Sequence, residues 1–337
     1  MNKPIQRFFQ PLIQCLFVLG ICGFSNFSAA EEIKFGLPIK CDLNKDCFIQ
    51  NLPDLIEGEG TADSFCQGAT YDGHKGVDIR ILSLKDIERN VPVIAPARGI
   101  IKAFRDGEED VLMKTPEDKD RVKGKECGNG IVISHDKTYE TQVCHLKKNS
   151  ITVQKGEKVE QGDTIGFVGN SGAAQFPHVH LMIRKNGKWV DPISGQSPEK
   201  SCKTNSVKTS LFNTEVAQYF TDNTSRLMTS GITGKPIIHE TLVEVGPPEA
   251  LKASDQAIVG WAWFINLRKG DKIRYTLEGP QGQISQNTTK PFEKWKASYS
   301  GFSGKRTSPT KGEYRLTTEL LRNGETIEQS LFVHILE

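Results

Sequence analysis

The stretch His178-Val-His-Leu-Met-Ile-Arg184 combines an apolar run with two histidines that are separated by one residue. Side chains at positions i and i+2 of a strand point to the same face, so the two imidazoles project side by side. A pair of imidazoles packs poorly in an apolar core but suits a metal site or a catalytic site. A single histidine at such a position is more often structural, and the pair makes that interpretation weaker. The stretch therefore predicts a β-strand that carries a functional site on one face.

A second segment, Gly73-His-Lys-Gly-Val-Asp78, offers an imidazole and a carboxylate four positions apart. Both groups are zinc ligands, and the glycines permit a tight backbone path. A catalytic zinc site uses three protein ligands and keeps a fourth position for water. His74, Asp78 and one histidine of the strand pair give that number. His145-Leu146, on a predicted strand that follows a hairpin, adds a third element to the pattern.

Short apolar runs broken by turn residues fill the chain between residues 71 and 192. No apolar pattern of helical period is sustained there, and Asn186-Gly187 is a strong hairpin-turn sequence before the last run. The pattern predicts a mainly antiparallel β-fold. The principal runs lie at residues 91–94, 99–104, 130–134, 141–146 and 178–184.

The three histidine-containing elements together resemble the LytM/lysostaphin-type metallopeptidases, peptidase family M23, over residues 71–192. In that family a His-x-x-x-Asp motif is followed by a His-Leu motif and then by His-x-His, and all three stand here in that order. The segments on either side of this region are similar, more loosely, to a proteobacterial branch of the family. Matching flanks lie at residues 91–96, 128–133, 159–166 and 169–172.

The resemblance implies that His74, Asp78 and His180 bind one zinc ion per chain. It implies further that His145 and His178 are unligated histidines beside the metal-bound water. The sequence contains no His-Glu-x-x-His motif that would supply a glutamate base, whereas histidine titrates in a suitable range to accept a proton from water. The roles of base and oxyanion stabiliser stay undivided between the two histidines.

Two positions depart from the commonest residues of the family. Val143 stands where an aromatic residue usually precedes the His-Leu histidine by two positions. Leu181-Met182 replaces the usual Phe-Glu after His-x-His. Neither change touches a ligand position, so both bear on the shape of the substrate groove.

The expected activity is that of a zinc metalloendopeptidase that hydrolyses peptide bonds in peptidoglycan stem peptides or cross-links by metal-activated water. One alternative is a non-catalytic factor that binds peptidoglycan or activates an amidase, although all five expected site residues are present here. A protease for glycine-rich proteins is the other alternative. Nucleic acid is excluded as the main partner, because the chain has a formal net charge of +2 and no basic block. No pattern in the sequence specifies an oligomeric state.

The first thirty residues have the features of a secretory signal peptide. Lys3 and Arg7 precede an uncharged apolar run, and Ser28-Ala-Ala30 supplies small residues for cleavage near Ala30. The run is short for a membrane span, with an uncleaved N-terminal anchor as the alternative, and no later stretch is long and apolar enough for one. The protein is therefore predicted to be exported, either to the periplasm or out of the cell.

The cysteines that follow the signal peptide are even in number, which in an exported chain predicts disulfides. A thiolate zinc site is disfavoured because the sequence has no Cys-x-x-Cys pair. Cys127 and Cys144 flank a predicted hairpin and form the first predicted pair, and Cys41 with Cys47 forms the second. The cysteines are Cys41, Cys47, Cys66, Cys127, Cys144 and Cys202.

At 337 residues the chain exceeds what a single core usually organises, so more than one domain is expected. Short strands with polar alternation near the C-terminus predict a small β-sandwich, in which Trp261 and Trp263 are assigned to the core. The segment before the peptidase domain is a candidate for a cover over the site. The expected organisation is a signal peptide at 1–30, a disulfide-containing lead-in at 31–66, an M23-type peptidase domain at 67–200, a connector at 201–238 and a β-sandwich domain at 239–337.

Overall fold

Strands are the main regular secondary structure of the described residues. The computed structural model describes Met1, residues 32–199, Cys202 and residues 209–337. Apart from Met1, the signal peptide predicted at 1–30 lies outside these residues. The strands pair antiparallel in every sheet, which confirms the predicted mainly β class. None of the helices in the described part of the chain has the length and apolar character that crossing a membrane requires.

Residues 48–190 contain one large sheet and a small ribbon. The strands are β1 (Phe48–Asn51), β2 (Val77–Arg80), β3 (Pro92–Ile94), β4 (Gly99–Arg105), β5 (Asn129–Ser134), β6 (Tyr139–Leu146), β7 (Lys158–Val159), β8 (Thr164–Phe167), β9 (His178–Lys185) and β10 (Lys188–Val190). The large sheet has the order β1-β2-β9-β6-β5-β4-β7, and β10 pairs with β9. β3 and β8 pair with each other in the ribbon.

The central strand β9 separates the core from the site. Val179, Leu181 and Ile183 have no exposed surface and lie in the main hydrophobic core. His178 and His180 alternate with them and therefore lie on the opposite face. The structure thus places both histidines on one face of the sheet, as their spacing predicts.

The lead-in predicted at 31–66 is part of the large sheet. β1 pairs antiparallel with β2, and Phe35 and Leu52 are buried in the same core as the central strands. The sequence Phe-Ile-Gln-Asn of β1 is only four residues long and lacks apolar alternation, so pairing with β2 rather than its own pattern makes it a strand. The predicted boundary at residue 66 therefore falls inside one continuous core.

Two further sheets are formed by the C-terminal residues. Their strands are β11 (Arg226–Thr233), β12 (Ile258–Leu267), β13 (Lys272–Gly279), β14 (Gly282–Thr288), β15 (Lys296–Lys305), β16 (Gly312–Arg322) and β17 (Glu325–Leu336). One sheet has the order β11-β12-β15 and the other β14-β13-β16-β17. Phe264 from the first sheet and Tyr275 and Leu316 from the second share one buried core, which confirms the predicted β-sandwich.

The sandwich begins earlier than the sequence predicts. β11 starts at Arg226, inside the segment predicted as a connector at 201–238, and pairs with β12 along its length. Its residues are mostly small or polar, so its hydrophobic pattern is weak and the pairing with β12 supplies the strand. The helices are short: a 3-10 helix (Leu84–Arg89), α1 (Glu117–Val122), α2 (Thr214–Ala217) and α3 (His239–Val245).

β12 is buried on both of its faces. Ala262 and Phe264 lie in the sandwich core, whereas Trp261 and Trp263 pack on the other side against Phe48 of β1. A continuous apolar run is the pattern of a strand covered on two sides. Both tryptophans are therefore core residues, as predicted, and they join the sandwich to the large sheet.

Arg80 of β2 is a buried cation at this junction. Its guanidinium carbon lies 4.7 Å from the ring centroid of Phe176 and 4.8 Å from that of Trp263. The same group donates hydrogen bonds to Gln50 Oε1 and to the carbonyl oxygens of Ile81 and Leu82. Burial lowers the pKa of Arg80 to about 9. No carboxylate in the described part of the chain forms an ion pair with it, so rings and neutral acceptors compensate the desolvation.

Three disulfides link the described residues. Cys41–Cys47 and Cys127–Cys144 are the two predicted pairs, and Cys66–Cys202 is the third. The third pair closes a sequence separation of 136 residues, which restricts the unfolded chain strongly. The sulfurs of Cys41 and Cys47 are thus covalently paired, so their approach to Asp46 offers no thiolate to a metal.

We expect Arg80→Lys to lower the free energy of unfolding by about 2 kcal/mol, because an ammonium group keeps the charge but loses the planar fork and the ring stacking. Chemical denaturation of the folded protein measures the change. Arg89→Lys is the matched control. The Arg89 side chain is 53% exposed, so this substitution is expected to change the free energy of unfolding by no more than about 0.5 kcal/mol. An equal decrease in the free energy of unfolding for Arg80→Lys and Arg89→Lys would contradict this role of the buried Arg80 guanidinium.

Candidate metal centre

Three side chains bring one ligand atom each to a common point. His74 Nε2 lies 3.1 Å from Asp78 Oδ1 and 3.1 Å from His180 Nδ1. His180 Nδ1 lies 2.8 Å from Asp78 Oδ1, which closes a triangle. The side chains of His74 and Asp78 are 1% and 2% exposed, and that of His180 is 13% exposed. Solvent therefore reaches this group from the side of His180.

The pairing of β2 with β9 creates the triangle. Asp78 and His180 are direct cross-strand partners, so their side chains are neighbours on one face. His74 lies in the turn before β2. Gly76 stands between His74 and Asp78 in sequence, and a Cβ atom on it would come within 2.3 Å of Leu181 O and 2.7 Å of Cε1 and Nε2 of His180. The close approach of the β9 backbone and of the His180 ring is thus the reason for a glycine at this position.

Backbone and side-chain groups from the lead-in orient two of the three ligands. His74 Nδ1 lies 2.7 Å from Leu52 O, and a carbonyl can only accept, so Nδ1 carries the proton and Nε2 presents its lone pair. Asn51 Nδ2 donates to Asp78 Oδ2 at 2.9 Å, which leaves Oδ1 facing the histidines. Sequence reasoning missed Asn51 and Leu52, because only the pairing of β1 with β2 brings them to the site.

The three atoms fit a zinc ion. Tetrahedral zinc with bonds of ~2.0–2.1 Å separates neighbouring ligand atoms by roughly 3.3 Å. The observed edges of 2.8–3.1 Å are close to that value. Two imidazole nitrogens and one carboxylate oxygen form a donor set typical of catalytic zinc, and oriented second partners such as Leu52 O and Asn51 are usual around such ligands. His74, Asp78 and His180 could therefore hold the metal.

The electrostatics of the group favour an ionised carboxylate. Burial by itself would raise the pKa of Asp78, but the charges and hydrogen bonds of His74, His178 and His180 outweigh burial and hold that pKa well below its ordinary value. Burial likewise opposes protonation of His74, and Asp78 outweighs it, so the pKa of His74 is raised. A full negative charge at Asp78 is what a bound cation requires.

His145 and His178 stand beside the triangle. Their ring centroids are 4.5 Å apart, and His178 Nε2 lies 3.6 Å from Asp78 Oδ1. His145 Nδ1 donates to Ser171 O at 2.7 Å and His178 Nδ1 donates to Phe176 O at 2.8 Å. Each Nε2 is therefore left with its lone pair.

Burial keeps both of these histidines neutral. Desolvation lowers the pKa of His145 well below its usual value, and the neighbouring His178 and His180 lower it further. Desolvation also lowers the pKa of His178, although Asp78 opposes that shift. Neutral imidazoles with a free Nε2 are able to accept a proton.

The backbone of His145 is held in an unusual conformation. Its φ of 65° lies in the left-handed region, which is uncommon for a residue with a side chain. His145 N donates to Cys127 O at 2.9 Å, and the adjacent Cys144 forms a disulfide with Cys127. On the other side, Gly169 N donates to His145 O at 3.0 Å. Bonds on both sides thus maintain a geometry that aims the ring at the site.

Two glycine-containing loops enclose His145. Asn129 donates to Leu146 O through Nδ2 and accepts Glu108 N at Oδ1, and its own N–H donates to Ser171 Oγ. A Cβ atom on Gly128 would lie 2.4 Å from Ser171 Oγ, so the two loops approach each other too closely for a larger residue. This contact explains the glycine at position 128.

Tyr71 is a further residue that sequence reasoning did not single out. Its ring centroid lies 4.5 Å from that of His74, and the residue is 53% exposed. It stands three positions before His74 in an irregular turn, where no periodic pattern points to it. Tyr71 therefore forms an accessible aromatic wall next to the triangle.

Comparison with known proteins gives matches over the same part of the chain. A model of peptidase family M23 matches residues 72–192. An uncharacterised metalloprotease of Haemophilus influenzae is 28% identical over 139 residues, which are 41% of this chain and 24% of that protein. The peptidoglycan DD-endopeptidase ShyA of Vibrio cholerae is 40% identical over 74 residues, which are 22% of this chain and 17% of that protein. The matched parts thus span a quarter or less of these relatives.

Among solved structures, the catalytic domain of the prophage-encoded M23 protein EnpA from Enterococcus faecalis is 21% identical, with a TM-score of 0.30. It covers 43% of this chain and 88% of that chain. All five residues that the sequence singled out lie within the segment matched by the family model and meet in one site: His74, Asp78, His145, His178 and His180. The chain therefore contains a domain of peptidase family M23, over residues 72–192.

Proposed function

We propose that this protein is an exported zinc metalloendopeptidase that hydrolyses peptide bonds in the stem peptides or cross-links of peptidoglycan. The observation that carries the proposal is the triangle of His74 Nε2, Asp78 Oδ1 and His180 Nδ1, with edges of 2.8–3.1 Å. The similarity to the DD-endopeptidase of Vibrio cholerae supports a cell-wall substrate. The three residues of the triangle are assigned to the metal.

Groups of the chain itself orient two of the proposed metal ligands. Leu52 O holds the His74 ring with Nε2 free, and Asn51 engages the outer oxygen of Asp78. Zinc bound there supplies a Lewis acid for the scissile carbonyl and lowers the pKa of its water. Because the orienting groups come from β1, we take the catalytic unit to begin with the lead-in and not at residue 67.

His145 and His178 are assigned to proton transfer and to stabilisation of the charge that develops on the carbonyl oxygen. Both Nδ1 atoms are engaged by backbone carbonyls, so each Nε2 is the atom available to the substrate and water. Their burial keeps them unprotonated and ready to accept the proton of the attacking water. The proton can later pass to the leaving amine from the same nitrogen.

The compartment follows from the N-terminus and the cysteines. A signal peptide over residues 1–30, cleaved near Ala30, would deliver the chain to the periplasm or to the outside of the cell. Three disulfides among the described residues fit an oxidising compartment. Peptidoglycan is the peptide-bearing polymer of that compartment.

Histidine variants separate metal binding from catalysis. We expect His145→Ala and His178→Ala to retain zinc but to release muropeptides from purified sacculi about 100- to 10,000-fold more slowly, because proton transfer is lost. His74→Ala is expected to lose zinc as well as activity. Zinc per chain after dialysis and chromatography of the soluble products are the measurements.

His334→Ala, in β17 of the sandwich, serves as the control and is expected to match wild type in both measurements. Zinc retention by His74→Ala, or full activity of His178→Ala, would refute the assigned roles. A wild-type protein that carries zinc and leaves sacculi intact would instead favour a binding factor.

Asn51 gives a separate test of the metal assignment. We expect Asn51→Ala to weaken zinc binding by about 10- to 100-fold, because Asp78 loses the partner that fixes its orientation. Competition with a chromogenic chelator measures the affinity directly. Asn44→Ala, in an exposed turn of the same segment, is the matched control, and an unchanged affinity in Asn51→Ala would contradict a metal at Asp78.

A further inference from the structure

The histidine-bearing face of β9 continues past the metal centre. Met182 and Arg184 follow His180 at alternate positions, so they lie on the same face as His180. Trp189 of β10 is the direct cross-strand partner of Arg184 and shares this face. The face forms the floor of an open pocket of about 440 Å³. Its walls include Glu57, Lys75, Met182, Arg184, Lys188 and Trp189.

The pocket carries an excess of positive charge. Lys75, Arg184 and Lys188 line it against a single acid, Glu57. None of these three cations forms an ion pair within the described ranges of the chain. Arg184 instead donates to the neutral Gln142 Oε1, which holds the guanidinium over the floor.

The nearest carboxylate across the strands does not cancel this charge. Glu140 is the cross-strand partner of Arg184, but its carboxylate is bound by Lys102. N–H groups of the Arg184 guanidinium therefore remain available to donate hydrogen bonds to an anion from solution. A planar guanidinium matches a carboxylate well because both can form two parallel hydrogen bonds.

The position of the pocket along β9 gives its distance from His180 of the metal centre. A strand rises ~3.3 Å per residue, so Met182 and Arg184 lie roughly 7 and 13 Å along β9 from His180. Lys75 directly follows His74 at the near end. An extended peptide lying along this face has the same rise. A substrate group bound here would be two to four residues from the bond at the metal centre.

We propose that this pocket, defined by Lys75, Met182, Arg184 and Trp189, is a substrate subsite for a free carboxylate two to four residues from the cleaved bond. Arg184 and Lys75 bind the carboxylate, and the apolar surfaces of Met182 and Trp189 contact the aliphatic part that carries it. The inference deepens the proposed peptidase function and rests on it. It makes the enzyme selective for anionic peptides over neutral ones, such as glycine-rich chains.

The test compares one purified cross-linked muropeptide with the same compound after its free carboxylates are amidated. Cleavage is followed with wild type, and binding is measured by titration calorimetry in His178→Ala protein, whose slowed cleavage leaves the substrate largely intact during the titration. We expect wild type to cut the acid form with a kcat/KM about tenfold or more above that of the amide, and to show the same preference in binding. Arg184→Gln is expected to abolish most of that preference in both measurements.

Lys185→Gln is the matched control. Lys185 is adjacent in sequence, exposed, on the opposite face of β9 and not among the residues that line the pocket, so this variant makes the same charge change outside the four residues that define the subsite. We expect it to keep the wild-type preference. Zinc content and melting temperature are measured for both variants, so that a folding defect is recognised.

The outcomes separate the two proposals. If wild type cuts and binds both compounds equally, or if Arg184→Gln and Lys185→Gln keep the same preference, the carboxylate subsite is wrong and the peptidase function stands. If neither compound is cut but the acid form binds in an Arg184-dependent manner, the subsite stands and the catalytic function is wrong. If neither is cut nor bound, both are wrong.

Discussion

The antiparallel register of β2 against β9 is the constraint on which the site depends. It sets Asp78 opposite His180 and at the same time buries Val179, Leu181 and Ile183 in the core. A slip of one residue would turn both histidines into that core and the apolar residues outward, because side chains alternate with a period of two. The burial of three apolar side chains therefore also stabilises the arrangement of His74, Asp78 and His180. The same strand register therefore forms both the core and the site.

A cluster of buried imidazoles and a carboxylate would be unfavourable if its outer atoms lacked partners. Here four of the five side chains have such a partner: Leu52 O for His74, Asn51 for Asp78, Ser171 O for His145 and Phe176 O for His178. Backbone carbonyls serve three of these four, and they cannot change protonation state. The rings of His74, His145 and His178 are thus fixed in one tautomer, with Nε2 turned inward. The lead-in provides two of the partners, which explains why it is built into the sheet.

The sequence predicts the parts of the site that depend on short-range pattern. His178 and His180 follow from strand periodicity, and His74 and Asp78 follow from ligand chemistry. His145, and the division into metal ligands and unligated histidines, come from the resemblance to the family. Asn51, Leu52 and Arg80 could not be named in advance, because their roles arise from pairing between strands that are distant in the chain. β11 was missed for a related reason, since β12 rather than its own residues makes it a strand. The Cys66–Cys202 pair likewise depends on the folded path of 136 residues.

A column of planar groups connects the sandwich with the site. The Trp263 ring lies against the Arg80 guanidinium at 4.8 Å, and Arg80 lies against the Phe176 ring at 4.7 Å. The Phe176 ring is tilted against His178 at 4.7 Å, and His178 against His145 at 4.5 Å. Phe176 O also accepts a hydrogen bond from His178 Nδ1, so the position of Phe176 sets that of the His178 ring. Because Arg80 has no carboxylate partner among the described residues, the rings on both sides and its neutral acceptors hold it, and Trp263 of the C-terminal sandwich becomes part of what holds His178 in place.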